Sequence, residues 1–266
     1  MKLWDKGSTP DKQMDQFTVG NDRELDQVLV EYDLKASRAH AEMLGKIGIL
    51  DSPETEAIVR ELDRMLEEAR CGKFLIEEPF EDMHSKIEYE LTRRIGEAGK
   101  KIHTARSRND QVLVALQLYL KDTLLDFRGQ TRALFDLLLQ LAETHRETLL
   151  PGYTHLQVAM PSSFGLWFSA YAESLVDDTF FLHAAYRVAD QNPLGSAAGY
   201  GSSFHIDRVM TTEILEFETL KYNVIAAQMG RGKVEKSLDE KSGLSGQEGG
   251  GQEGAGQESP CQEGPG

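Results

Sequence analysis

The sequence has little of what several protein classes require. It contains two cysteines, Cys71 and Cys261, far apart in 266 residues, which gives no disulfide framework and suits a reducing compartment. No apolar run approaches the roughly 18 to 20 residues that a membrane span needs, and the first residues are too charged for a signal peptide. We therefore expect a cytoplasmic protein with no membrane partner.

Basic residues are also few relative to acidic ones. Lys and Arg total 29 against 44 Asp and Glu, and the formal net charge is −15. Phosphate binding needs a basic footprint, so this balance argues against a nucleic-acid partner. The sequence has no HExxH motif, Cys/His cluster, GxGxxG or P-loop, so we expect no metal and no cofactor. A small anionic substrate remains compatible, because local Arg and Lys placement decides its binding.

What the sequence does contain is helical periodicity almost throughout. Apolar residues recur every three to four positions, and no alternating run predicts a sheet. The predicted helices cover residues 22–47, 52–70, about 84–95, 107 to about 148, and 161 to about 189. Pro161 is expected to open the last of these. The fourth helix, at 1.5 Å per residue, would span roughly 60 Å, so other long helices of this chain or of other subunits should bury it.

The predicted fold class is therefore all-α, in three parts. An N-terminal helical domain is expected over residues 1–106 and the long helices of a central bundle over residues 107–236. From about residue 237 the composition changes, and the pair Gln-Glu recurs at positions 247, 252, 257 and 262 among Gly and Ser. Such a stretch cannot offset its ordering entropy by apolar burial, so residues 237–266 are predicted to be disordered.

Three polar segments interrupt the helices. The first, His103 to Gln111, precedes the longest helix; its side chains suit a helix cap, its two arginines suit carboxylates, and either a solvated helix start or an anion site fits. The second, Pro151 to Gln157, holds a His beside a hydroxyl. That His suits acid–base chemistry, although a lone loop His is more often a packing residue. The third, Asn192 to Ser203, fits an anion-binding nest of backbone amides or a flexible connection.

The wording of these segments resembles a known family, argininosuccinate lyase of the fumarase/aspartase superfamily. The resemblance runs from about residue 3 to residue 236. It rests on Y-D-L-K-A-S-R-A-H-A-E-M-L, E-D-M-H-S-K-I-E-Y-E-L, G-K-K-I-H-T-A-R-S-R-N-D-Q-V, P-G-Y-T-H-L-Q and N-P-L-G-S-A-A-G-Y. The most specific part is the pair S-R-N-D-Q and G-Y-T-H-L-Q, spaced across one long helix.

The resemblance implies a reversible elimination that splits argininosuccinate into arginine and fumarate, in a cytoplasmic homotetramer that serves arginine biosynthesis. By the resemblance, His155 is the catalytic acid or base. Asn109 and Thr154 bind substrate, and Ser107 and Arg108 help to hold its carboxylates. The family's N-terminal substrate-binding Ser aligns with Thr18 or Gly20, according to where a short gap is placed.

One family signature is absent from the sequence. The Gly-Ser-Ser-x-Met-Pro-x-Lys-x-Asn-Pro loop, which supplies a catalytic Ser, has no counterpart because the match stops near Lys236. We therefore expect impaired activity from this chain alone. Two alternatives remain: a truncated helical product without catalysis, and another superfamily lyase such as adenylosuccinate lyase, against which S-R-N-D-Q counts.

Overall fold

The computed structural model describes residues 20–233. Thr18, Cys261 and the predicted disordered tail lie outside these residues. The described part forms eight α-helices: α1 (Asp22–Lys46), α2 (Ser52–Arg70), α3 (Met83–Ile95), α4 (Glu97–Lys100), α5 (Arg108–Thr144), α6 (Phe164–Ala189), α7 (Arg208–Ile214) and α8 (Val224–Met229). The predicted all-α class is confirmed. Within residues 20–233, no helix combines the length and apolarity needed to cross a membrane.

The helix starts follow from local chemistry. At α2 the side chain of Asp51 accepts from the N–H of Glu54 at 2.8 Å, and the Glu54 carboxylate accepts from the N–H of Asp51, which together form a capping box. Pro53 lies in the first turn, where its missing N–H costs nothing. Asp82 caps α3 by accepting from the N–H of Ser85 at 2.7 Å.

Two short sheets correct the expectation that the chain has none. Strands β1 (Leu149–Thr154) and β2 (Gln157–Ser163) form an antiparallel hairpin with a register irregularity at Gly152/Tyr153. Strands β3 (Gln191–Asn192) and β4 (Thr219–Leu220) pair in parallel. Pro161 therefore lies in a strand, and the helix predicted to start there begins at Phe164. Most hairpin side chains are exposed on both faces, so no alternation of apolar and polar residues marks it in the sequence.

The described residues divide into two compact units, one of residues 20–119 with 190–233 and the other of residues 120–189. This division differs from the predicted boundary between residues 106 and 107, which stays a prediction about domains. In the first unit one apolar cluster joins α1, α2 and α3, with Leu34, Leu62 and Ile87 nearly inaccessible. A second cluster packs α1 against the first part of α5 and the segment around Leu194 and Phe217.

The second unit contains the rest of α5, the hairpin and α6. Its two helices approach closely at Gly165: an added Cβ there would lie 2.7 Å from the carbonyl oxygen of Ala142 in α5 and 2.5 Å from the Cα of Arg146, just after α5. The rings of His145 and Phe168 lie 6.2 Å apart at the same place. Glycine is therefore required at position 165 by the packing of the two helices.

Candidate active site

The first polar segment forms the start of α5, and its own side chains cap the helix. Ser107 precedes the first helical residue. Its Oγ accepts from the backbone N and from Nδ2 of Asn109, at 3.3 and 3.2 Å, while its N–H donates to Oδ1 of Asp110 at 2.9 Å. A helix start carries unpaired N–H groups and the positive end of the helix dipole, so it favours an anion nearby.

Buried polar groups hold this helix start on the first unit's core. Nη1 of Arg106 donates to Oγ of Ser37 at 2.9 Å, and Nε2 of Gln111 donates to Oδ2 of Asp33 at 3.2 Å. Nδ1 of His84 lies 3.1 Å from the same Asp33 oxygen. Burial by itself would raise the pKa of Asp33, but its interactions with His84 and Arg106 bring that pKa below its ordinary value. These interactions favour the charged form of the Asp33 carboxylate next to the start of α5.

Arg108, predicted to hold a substrate carboxylate, has a protein carboxylate as its partner. Its Nη1 lies 2.6 Å from both oxygens of Asp82, and its Nη2 donates to Oγ of Ser85 at 3.3 Å. Burial alone would raise the pKa of Asp82, but the Arg108 guanidinium lowers it below the ordinary value. In the structure Arg108 therefore ties α5 to the start of α3, and its contact with substrate stays a prediction.

Asn109, predicted to bind substrate, is half-buried and held from two sides. Besides its contact with Ser107, its Oδ1 accepts from Nη2 of Arg231 at 2.6 Å. Arg231 follows α8 and is exposed. The Ser107 hydroxyl, the Asn109 amide and the Arg231 guanidinium thus lie together at the start of α5. These groups suit the binding of a carboxylate.

The third polar segment is an anion-binding nest, and the anion is a side chain of the protein. The backbone N–H groups of Gly195 and Ala197 donate to Oδ2 of Asp110 at 2.9 and 3.0 Å. Both residues have positive φ, 86° and 48°, and their two N–H groups converge on one carboxylate oxygen. Nε2 of Gln228 donates to Oγ of Ser196 and to the carbonyl of Ala197, at 3.0 Å each. The nest therefore fixes the third segment to the first.

The second polar segment is the tip of the β1–β2 hairpin. Thr154 pairs with Gln157, so His155 and Leu156 form a two-residue turn with φ of 53° and 65°. Positive φ at both central positions is the geometry of a type I′ turn, in which Asn and Gly are the usual residues. Thr154 and His155 are exposed, and within residues 20–233 the His155 ring has no hydrogen-bond partner. This hairpin presents an unengaged imidazole.

The predicted site residues thus fall into two groups. Ser107, Arg108 and Asn109 lie in the first unit, and Thr154 and His155 lie in the second. Sequence reasoning missed two residues that the structure adds to the first group. Asp110 lies within the S-R-N-D-Q motif, and an acid three residues after a capping Ser is a known signal of a helix start. Arg231 carries no local signal, because its partner lies 122 residues away.

Comparison of the fold with solved structures gives its class. The structure of EDDS lyase in complex with formate matches with a TM-score of 0.69 and 27% sequence identity, over 84% of this chain and 44% of that chain. The architecture is therefore that of the helical lyases. A family model described as lyase matches residues 6–231, and the chain belongs to that family.

The relatives agree with the resemblance in the motifs. An argininosuccinate lyase from Phocaeicola vulgatus is 52% identical over 237 residues, which are 89% of this chain and 53% of that protein. One from Parabacteroides distasonis is 54% identical over the same shares of both chains. The predicted resemblance to argininosuccinate lyases is confirmed. The chain spans about half the length of these curated relatives.

Proposed function

We propose that the described residues supply part of the active site of an argininosuccinate lyase, which splits argininosuccinate into arginine and fumarate. The observation that carries the proposal is the group of donors at the start of α5. Ser107, Asn109 and Arg231 meet there at a helix N-terminus, which suits a dicarboxylate. The identity of 52% to a relative with that name supports the choice of substrate.

The proposed reaction is an elimination. A base removes a proton from the carbon beside a carboxylate, the C–H electrons form the C=C bond of fumarate, and the C–N electrons leave with the guanidino nitrogen of arginine. Negative charge builds up on that carboxylate, so donors placed in advance around it lower the barrier. Asn109, Thr154 and Ser107 are the proposed donors. His155 is the proposed acid or base, since imidazole transfers protons near neutral pH.

We further propose that the site is completed by assembly of the chain into a homotetramer. The helices of the second unit expose large apolar side chains: Phe127, Leu134 and Leu137 on α5, and Leu166, Phe180 and Phe181 on α6. Phe180 and Phe181 are 69% and 67% exposed. Exposed large apolar side chains of this kind favour association. A cytoplasmic location belongs to the same proposal.

A turnover assay tests the role of His155. The protein is mixed with argininosuccinate, and fumarate is followed by ultraviolet absorbance. His155→Asn should lower any measured rate by about a hundredfold or more, the usual contribution of an acid–base group. The matched control is His183→Asn, which changes another exposed His of the second unit and should leave the rate unchanged. Turnover that survives His155→Asn contradicts the assignment.

Ligand binding tests the donor group independently of turnover. Titration calorimetry with argininosuccinate should show weaker binding by Asn109→Ala and by Thr154→Val. Asn21→Ala, which removes an exposed amide before α1, is the control. Equal affinity of all variants would rule out these donors.

Light scattering coupled to size-exclusion chromatography tests assembly. Four copies per particle are expected, and a stable monomer at micromolar concentration contradicts the proposed homotetramer.

A further inference from the structure

The contact between Arg231 and Asn109 determines which end of the Asn109 amide a ligand meets. The guanidinium of Arg231 has only donors, so it accepts no bond from Nδ2 and must face Oδ1. The observed 2.6 Å contact from Nη2 to Oδ1 has this sense. On the other side of the amide, Nδ2 donates to Oγ of Ser107 at 3.2 Å. The orientation of the amide is therefore set from both sides.

An amide nitrogen carries two N–H groups, and Ser107 takes one of them. Among residues 20–233 nothing accepts from the second. A ligand that approaches this side of Asn109 meets an N–H donor. The positive charge of Arg231 is close by, because the guanidinium is hydrogen-bonded to Oδ1 of the same amide. A carboxylate satisfies both features, whereas a ligand ammonium or guanidinium offers only donors and is repelled by the charge.

The position of Arg231 is itself fixed by the first and third polar segments. It follows Gln228 by three residues, and Gln228 donates to Ser196 and Ala197. Ala197 in turn donates to Asp110, the neighbour of Asn109. These contacts begin at α5 and lead back to it. Arg231 is therefore held beside Asn109 by this chain of contacts as well as by its own exposed hydrogen bond.

We infer that Arg231 is a positioning residue that turns the Asn109 amide so that it donates, and thereby selects a carboxylate over a cationic group at this position. The inference rests on the proposed function, in which Asn109 binds a substrate carboxylate. It adds a residue beyond the S-R-N-D-Q motif and a reason for the specificity of the position.

Two variants of position 231, with one charge-change control elsewhere, test this orientation. Arg231→Lys keeps a donor-only cation and should preserve the amide orientation. Arg231→Glu accepts only, so it should face Nδ2 and turn Oδ1 outward. Arg60→Glu makes the same change of charge at an exposed position on α2 and serves as the control. Fumarate is the titrated ligand, and the side-chain amide resonances of Asn109 report both binding and the proximity of Nδ2 to Ser107.

The expected result is that Arg231→Glu loses the Nδ2–Ser107 proximity and binds fumarate roughly tenfold to a hundredfold more weakly, the usual effect of one hydrogen bond to a charged group. Arg231→Lys should keep both the Nδ2–Ser107 proximity and the fumarate affinity of the unmodified protein, and Arg60→Glu should change neither of them. If Arg231→Glu keeps the proximity and the affinity, the inference is overturned and the proposed function stands. If the unmodified protein does not bind fumarate, the proposed function fails and the selection of a carboxylate fails with it. The amide resonances then still decide whether Arg231 orients Asn109.

Discussion

Oδ2 of Asp110 lies 2.9 Å from the backbone nitrogen of Gly195, 85 residues further along the chain. Ala197 donates to the same oxygen, and Ser107 donates to the other. Asp110 is fully buried, so these three N–H groups replace the water that a carboxylate needs. The hydrogen bonds of Asp110 thereby join two polar segments that are far apart in sequence. Asn109 lies at this junction.

Asp110→Asn tests this junction. The amide has one acceptor and one donor end, so in either orientation its NH2 group faces a backbone N–H. We expect a loss of about 2–4 kcal/mol in the free energy of unfolding, since charge-assisted bonds are lost and a buried donor is left unpaired. Urea unfolding measures it. Asp122→Asn, at an exposed position of α5, should stay within about 0.5 kcal/mol; equal losses would argue against the junction.

His40 predicts how stability depends on pH. Burial, with a further contribution from the charge of Arg106, lowers the pKa of His40 to about 3, whereas an unfolded His titrates near 6.5. Above pH 6.5 both states are neutral and nothing changes. As the pH falls below 6.5, only the unfolded state takes up the proton, so stability falls by up to about 1.4 kcal/mol per pH unit until the pH nears the folded pKa.

His40→Gln removes this titration and keeps a donor for the carbonyl of Thr104, which Nε2 of His40 contacts at 2.9 Å. The measurement is urea unfolding at several pH values from about 7 down to about 4.5. The free energy of unfolding of the unmodified protein should fall more steeply over this range than that of the variant. Parallel curves would mean that His40 is accessible to protons in the folded state.

Gly99 predicts a packing defect. An added Cβ would lie 2.7 Å from the backbone carbon of Leu91 and 2.8 Å from the nitrogen of Thr92, and backbone atoms cannot move aside as a flexible side chain does. Gly99→Ala should therefore destabilise by about 1–3 kcal/mol. Gly129→Ala, inside α5 with open space around it, should instead stabilise by about 0.5–1 kcal/mol. Thermal unfolding of both variants checks the opposite signs.

The hairpin tip predicts a gain from relieving backbone strain. Leu156 has a φ of 65° and is 98% exposed, so Gly at this position loses no burial and removes a cost of about 1–2 kcal/mol for a left-handed residue. Leu156→Gly should slow hydrogen exchange of the β1–β2 amides by about fivefold. Leu156→Ala keeps the Cβ and should show no slowing; if it slows exchange equally, strain is not the cause.

Much of the helical fold is readable from the sequence because its signals are local. The start of α2 follows from Asp51, Pro53 and Glu54, which lie within one turn. The hairpin is not readable, since Pro161 is as typical of a helix start as of an edge strand. Both faces of the hairpin are also largely exposed, so its strands do not alternate apolar and polar residues, which is the pattern that would predict them.

The candidate site divides in the same way. The sequence by itself indicated a capped helix start within residues 103–111, because a contact such as that of Ser107 with Asn109 is local, and its motifs identified the lyase family. The tertiary structure alone decided that the third segment binds Asp110, that Arg108 faces Asp82, and that Arg231 orients Asn109. Each of these contacts joins residues that are distant in sequence, so it depends on how helices and loops pack, which short-range caps and periodicity do not specify.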